Sequence, residues 1–463
     1  MQIEENGQGT LRNNLSGKLA YYSFLPTPLQ SLRQLNLTEE TYRTLSTCSR
    51  KLGELEGMLY FVPNADMYLT MYVRKEALLS SQIEGTQCTF DDLLSPSQTQ
   101  LHHKDVADVV NYVRAVDRGV ELLKKMPLCT RLLRQVHAVL LDGVRGTEKN
   151  PGELRSSQNW IGPSGCTIAT ASFVPPNIED LSNTLQDLER FINEPQVEMD
   201  PIVRAALVHY QFETAHPFLD GNGRLGRLLI TLMLINDGVL HSCLFYPSFQ
   251  FKKNRSEYYR QLTSVRERGT YEEWIEFFCA SLLESAKDSV GSLKSLVDLH
   301  NRSTAAITEN LGRTAANGQR LLSLLEEHPI LDTAFIAARL DIGRSTASSL
   351  VKSFEDWVSS VHSTSQDRDT DSTGMKSIFR FSGKTLSRLD RHRSPAILKR
   401  AWIISHFEST RGPKTGDYPR SFLTSHLRTS PMTTHPERGN AAGRGRTASA
   451  AQSEQVGMKK ARH

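Results

Sequence analysis

The residues able to do chemistry are concentrated in one unbroken segment, His216-Pro217-Phe218-Leu219-Asp220-Gly221-Asn222-Gly223-Arg224-Leu225-Gly226-Arg227. A helix is predicted to end near Ala215, and after a short loop a new helix opens at Gly223. The first turn of such a helix presents unpaired N–H groups at the positive end of its dipole, which suits an anion. Gly221 and Gly223 let the backbone approach a ligand closely, and Asn222 suits a helix start. Arg224 and Arg227, three apart, project from a shared side and match a polyphosphate. Asp220 is a hard oxygen ligand placed for a magnesium ion on those phosphates. His216 is the nearby group suited to proton transfer near neutral pH.

Other readings of these residues are weaker. Gly221, Gly223 and Gly226 satisfy G-x-G-x-x-G, but the pattern follows a helix and a proline, not the buried strand a dinucleotide fold needs. No G-x-x-x-x-G-K-[ST] occurs. His209, His216 and Asp220 are spaced poorly for a metal. A second segment, Ser80-Ser81-Gln82-Ile83-Glu84-Gly85, closes a helical run that begins at Met67. Ser80 and Glu84 share a helix face. A carboxylate in a last turn opposes the helix dipole, so a cation should partner Glu84, and Arg227 is the natural one.

The first segment resembles the Fic family motif H-[PF]-F-x-[DE]-G-N-G-R-x-x-R at every fixed position. Around it, Pro151-Gly152-Glu153-Leu154-Arg155, Gln158-Asn159-Trp160-Ile161-Gly162 and Phe173-Val174-Pro175-Pro176 resemble the family's flap. The likeness extends over about residues 25–290, with a weaker one to the winged-helix unit that some members carry. The resemblance implies transfer of AMP from ATP, with Mg2+, to a Ser, Thr or Tyr hydroxyl of a target protein. It makes His216 the general base, Asp220 the metal ligand, and Gly221, Asn222 and Gly223 the anion hole. Arg224 would stabilise developing phosphate charge and Arg227 would clasp the γ-phosphate, with Leu225 and Gly226 completing the nucleotide-binding segment. Phe218 would pack beneath the loop. Tyr258 and Tyr259 lie where members often place an adenine contact, although helical aromatics are as often core. The flap residues Trp160, Ile161 and Gly162 would hold the target by strand addition. Ser80, Glu84 and Gly85 match the family's inhibitory motif, so Glu84 is expected to pair with Arg227 and restrain the enzyme.

The elements that must position these groups read as helices. Tyr42, Leu45, Cys48, Leu52, Leu55 and Leu59 recur at threes and fours, and similar runs cover 105–125, 129–141, 177–193, 201–214, 223–236, 255–266 and 271–287. Between Pro151 and Pro176, glycine, proline and β-prone residues suit a hairpin or lid. Helices at 319–327, 332–340 and 345–357, with Asp341-Ile342-Gly343 as a tight turn, have helix-turn-helix spacing. Arg344 and Lys352 on its last helix could meet DNA phosphate, while recognition of a protein partner or target is the leading reading of the module.

Composition bounds the rest. The 463 residues suffice for two or three domains. Residues 359–463 carry 19 Lys and Arg against 8 Asp and Glu, leaving 36 against 43 in the remainder, so the net +4 belongs to the tail. Six widely spaced cysteines, with no C-x-x-C, exclude a zinc knuckle, a dithiol centre and a disulfide scaffold. The polar start and the lack of a long apolar run predict a cytoplasmic protein with no membrane partner.

The expectation is therefore a mainly α protein. It has a flexible leader (1–24), an N-terminal helical domain with the inhibitory helix (25–105) and a Fic core with a β-hairpin flap (106–290). A helix-turn-helix module (291–358) and a largely disordered Ser/Thr/Arg-rich tail (359–463) follow. Its partners would be target proteins with an accessible hydroxyl, itself by self-modification, and a second copy as homodimer. Removal of AMP, another phosphate donor, a nucleotide-sensing DNA-binding regulator and a toxin are the rival readings.

Overall fold

The computed structural model describes residues 7–364, apart from 18–19, 33, 61, 63–64, 91–92, 94–102, 164, 195–198 and 328–330. The expected tail, 359–463, lies outside these residues beyond Thr364.

The fold is mostly helical. Helices α1 (Glu39–Leu59), α2 (Ala65–Ile83), α3 (His103–Leu123) and α4 (Thr130–Leu140) form the first half. They are followed by α5 (Ile178–Asn193), α6 (Pro201–Ala215), α7 (Asn222–Asn236), α8 (Ser248–Lys253), α9 (Arg255–Arg268) and α10 (Tyr271–Asn310). The centre is the pair α6 and α7, whose residues are buried almost without interruption, as expected for helices apolar on every side. Asp200 caps α6 by accepting from the Ile202 N–H at 2.8 Å, and Pro201 occupies the first turn, where its missing donor costs nothing. Trp274 of α10, fully buried, donates from its indole to the Ala206 carbonyl at 2.9 Å and ties α10 to the central pair.

Three features correct the sequence reading. The described part of the leader carries a hairpin: β1 (Gly9–Asn14) and β2 (Tyr21–Pro26) pair antiparallel from Gly9 opposite Pro26 to Asn14 opposite Tyr21. Burial of Phe24 and Pro26, two residues apart, gives β2 one buried side with a single large apolar side chain, which the polar composition around it concealed. The flap is not a ladder of strands either. Its arms meet in one antiparallel bridge, Ile161 with Phe173. Between them Pro163 lacks a donor and Thr167 and Thr170 cap a short 3-10 turn at Ile168–Thr170, so the described residues make no second rung. Finally, α10 does not stop near 287 but runs through to Asn310, because Leu293, Leu296, Leu299, Ser303 and Ile307 continue its buried face.

Ile307 already belongs to a second apolar core, shared with Leu321 of α11 (Ala315–Glu327), Ile336 of α12 (Thr333–Leu340) and Ala347 and Leu350 of α13 (Arg344–Thr364). Asp341 makes the tight turn in the left-handed region (φ 54°), and the Ile342 N–H closes it on the Ala337 carbonyl. The helix-turn-helix geometry is therefore present, hung on the end of α10.

Candidate active site

Residues 216–221 form the loop between α6 and α7. His216 ends α6 in the left-handed region (φ 45°), a conformation that costs a non-glycine residue energy and must be held by its surroundings. Several side chains hold it. Arg155 donates from Nε to the His216 carbonyl at 3.0 Å, and Asn159 donates to the carbonyls of His216 (3.2 Å) and Phe218 (3.0 Å). Asn222 closes the loop on itself: Oδ1 accepts from the Phe218 N–H at 2.9 Å and Nδ2 donates to the Phe218 carbonyl at 2.8 Å. The Asn222 side chain is thus occupied in shaping the loop, and only its main chain is left for a ligand.

His137 of α4 supports the loop from below. Its ring stacks on Phe218 with centroids 3.8 Å apart. Nδ1 accepts from the Gly152 N–H, so Nε2 carries the proton and donates to the Asp220 carbonyl at 2.9 Å. Burial lowers its pKa to about 4, which keeps this tautomer neutral. None of His137, Arg155 or Asn159 was assigned a role from the sequence. The regular spacing of α4 marks His137 as inward-facing, but only the fold shows what it faces.

Above the loop, Gly221 (φ 76°) caps α7, and the N–H groups of its first turn point out of the helix end. At Gly223 an added Cβ would collide with the Glu84 Oε1. The Glu84 carboxylate therefore lies directly against the opening of α7. Arg227, fully buried, donates from Nε to the Ser80 hydroxyl (2.9 Å) and from Nη2 to the Ser80 carbonyl (2.9 Å) and to Glu84 Oε1 (2.8 Å). Gly85 (φ 94°) turns the chain away after Glu84. Arg224, 1% exposed, reaches Asp108 from Nη1 at 3.3 Å, while its Nε and Nη2 have no hydrogen-bond partner. Buried guanidinium donors without partners are costly, and these two sit one helical turn before Arg227.

Electrostatics sharpen the picture. Burial would raise the Glu84 pKa, but the charge of Arg227 outweighs it and holds the carboxyl below its ordinary range. Burial and then the charge of Arg266 lower His216 to about 4, so its imidazole is neutral at pH 7. His216 Nδ1 lies 3.3 Å from the Glu213 carbonyl, which can only accept, so the proton is on Nδ1 and Nε2 keeps a lone pair. Burial pushes Glu213 up to about 7, and its Oε1 is unpartnered.

Tyr258 is not at the site surface. It is fully buried and donates its hydroxyl to His209 Nε2 at 2.9 Å, while His209 Nδ1 donates to the Gly226 carbonyl at 2.8 Å. The tyrosine ring packs on Phe251 and Trp274, so it is core. Tyr259 is 39% exposed, and its titration feels Glu84 and Arg227. On the flap Trp160 is 42% and Ile161 36% exposed, and a Cβ on Gly162 would meet Cys166 Sγ at 2.6 Å. Among the described residues no three His, Cys, Asp or Glu side chains could share a metal. Asp220, half-buried with Oδ1 accepting from the Gly221 N–H, is a single carboxylate ligand. That suits a magnesium ion completed by phosphate and water. No described helix is long and apolar enough to cross a membrane, and all six cysteines are free thiols.

The chain is similar to known proteins over the same region. Residues 42–121 match the Fic/DOC family N-terminal domain and residues 127–234 the Fic/DOC family domain. The protein adenylyltransferase Fic of Drosophila ananassae is 33% identical over 203 residues, 42% of this chain and 37% of that protein. The protein adenylyltransferase fic-1 of Caenorhabditis elegans is 30% identical over 148 residues, 32% of this chain and 26% of that one. The chain thus spans between about a quarter and little more than a third of the length of these relatives. A solved Fic family protein from Desulfovibrio desulfuricans superposes with a TM-score of 0.48 at 20% identity, over 70% of this chain and 92% of that one.

Proposed function

We propose, from the premise that the chain belongs to the Fic/DOC family, that it transfers the adenylyl group of ATP to hydroxyl side chains of target proteins and is restrained by Glu84. The observation that carries this reading is the ion pair of Arg227 with Glu84 over Gly223, at the mouth of α7.

In this reading the N–H groups of Asn222 and Gly223, joined by that of Gly221 once Asp220 Oδ1 releases it, and the two unpartnered donors of Arg224 receive phosphate oxygens. Arg227 takes the γ-phosphate once Glu84 withdraws. Asp220 would hold Mg2+, which supplies charge neutralisation between the phosphates. His216, neutral with Nε2 free, accepts the proton of the target hydroxyl. The hydroxyl oxygen then bonds to the α-phosphorus as the bond to the β-phosphate oxygen breaks, and diphosphate leaves. The backbone of Trp160 and Gly162 faces away from the Ile161–Phe173 bridge and offers an edge for an extended target segment. Tyr259 is the remaining candidate for an adenine contact. Proteins with accessible hydroxyls, this chain included, are the acceptors. The C-terminal module recognises the target, with DNA the lesser reading, and the setting is the cytoplasm.

One observation favours a second reading. The Glu84 carboxylate is held ionised beside the phosphate site, where it could activate water and remove AMP instead. Label from α-labelled ATP with magnesium separates the two. Label on Glu84→Gly protein, or on lysate proteins treated with it, that vanishes in Glu84→Gly/His216→Ala is expected for transfer. No label from folded, ATP-binding protein, with AMP released from a modified acceptor by the wild type alone, would establish removal.

A further inference from the structure

The flap does not stand alone. Phe173 exchanges both backbone hydrogen bonds with Ile161, at 2.8 and 3.0 Å. The next residue, Val174, turns its carbonyl the other way and accepts from the Phe24 N–H of β2 at 2.9 Å. The Phe173–Val174 arm is therefore a middle rung, with Ile161 on one side and the β1–β2 hairpin on the other. The side chains repeat the arrangement. The fully buried Phe24 ring lies 6.1 Å from that of Phe173, and the Arg266 guanidinium covers Phe173 at 3.9 Å. Arg266 in turn donates from Nε to Thr214, two residues before His216.

The hairpin is anchored independently of the flap. Arg12 pairs with Asp180 and Asn177 donates to Asn14 at 2.8 Å, both at the start of α5. Gln211 of α6 donates to the Thr27 carbonyl at 3.1 Å. The Phe173–Val174 arm, which backs the strand with the free edge, is thus held from behind by a piece of chain fastened to α5 and to α6, the helix that leads into the loop.

We propose that the N-terminal hairpin is a positioning element for the target-binding flap, acting through Phe24 on Phe173. Phe24 touches neither nucleotide nor target. It fixes the arm against which Ile161 is registered, and so the line along which a target strand enters. The inference rests on the adenylyl-transfer reading above. It assigns to residues 9–26 a part in acceptor binding and none in ATP binding.

The test uses the full chain in the Glu84→Gly background, with α-labelled ATP, magnesium and cell lysate as the acceptor mixture. Phe24→Ala should raise the lysate concentration giving half-maximal labelling about tenfold and leave the Kd for ATP unchanged, and Phe24→Leu should restore most of the loss. Gly9→Val, whose added atoms would strike the Phe24 ring and the Leu25 carbonyl, should act like Phe24→Ala. In hydrogen exchange the Ile161 and Phe173 amides should open at least tenfold faster in Phe24→Ala, while amides of α7 keep their wild-type rates. Equal acceptor dependence with unchanged flap exchange would overturn the proposal. So would a loss of ATP binding in parallel, which would mark Phe24 as plain core. Absence of label from Glu84→Gly protein with Phe24 intact would instead sink adenylyl transfer, and with it the acceptor-binding role.

Discussion

Glu84→Gly should change not only a rate but the nucleotide preference of the site. In the structure Arg227 spends Nε and one bond of Nη2 on Ser80 and the other on Glu84 at 2.8 Å. ATP and ADP differ by the γ-phosphate, the group Arg227 would hold, so with Glu84 in place the two should bind alike. Removing Glu84 frees a charge-assisted donor whose bond is worth about 1.5–3 kcal/mol. That corresponds to a preference for ATP over ADP of roughly ten- to a hundredfold. The unliganded variant should also be less stable. Loss of one partner of a buried pair costs ~3–5 kcal/mol, and because the Glu84 side chain is 31% exposed about 1–2 kcal/mol is expected. Calorimetric titration with ATP and ADP, on wild type and Glu84→Gly, reads the ratio directly. An ATP:ADP ratio that is the same in both proteins would refute the idea that Glu84 and the γ-phosphate compete for Arg227.

The pH dependence follows from the direction of the shifts. Because the folded Glu84 pKa is depressed, the pair's stabilisation is full above the unfolded value near 4.3 and is lost only as pH falls through the lower folded value. Wild-type labelling should therefore stay restrained from pH 8 to 5, and a rise within that window would contradict the assignment. In Glu84→Gly the acid limb of the labelling rate should lie well below 6.5, towards the value of about 4 set by burial of His216. His137→Ala removes the stack under Phe218 and the hydrogen bonds to the Asp220 carbonyl and from the Gly152 N–H, so urea unfolding should show a loss of about 2–4 kcal/mol. Gly146→Ala forces a Cβ to within 2.8 Å of Asp220 Oδ2 at a residue with φ 92°, and should raise the magnesium needed for half-maximal labelling several-fold while metal-free ATP binding stays constant.

What could be read in the sequence and what could not divide along a physical line. Phosphate chemistry needs particular residue types at fixed offsets on one turn and one helix end, so His216 to Arg227 is legible as a string. Glu84 is legible for the same reason, and its partner follows from charge. His137 lies 83 positions from Asp220, and its role is a tautomer and a ring stack that no local pattern encodes. Arg155 and Asn159 act on carbonyls, which leave no trace in side-chain identity. Tyr258 has the residue type of a ligand contact and the burial of a core residue, and only packing separates the two. The β1–β2 hairpin was missed because its apolar side is a single phenylalanine facing the flap arm. The helices, by contrast, were legible because burial of one stripe imposes its period on every turn.

Helix α10 has a consequence for how this chain can vary. Its face packs with the main apolar core as far as Leu299, and at Ile307 the same helix enters the core of the C-terminal module. No loop separates the two, so the number of residues in 300–306 acts as an angular setting. One residue inserted there would swing the module by about 100° and advance it ~1.5 Å. It would also part His300 from Glu326, now 2.6 Å apart, without altering a side chain in either core. Seven inserted residues would bring the module back near its original bearing, ~10.5 Å farther out. Length variation in this stretch should therefore come in steps of whole turns, and the orientation of the module is written in the spacing of the chain rather than in the identity of any residue.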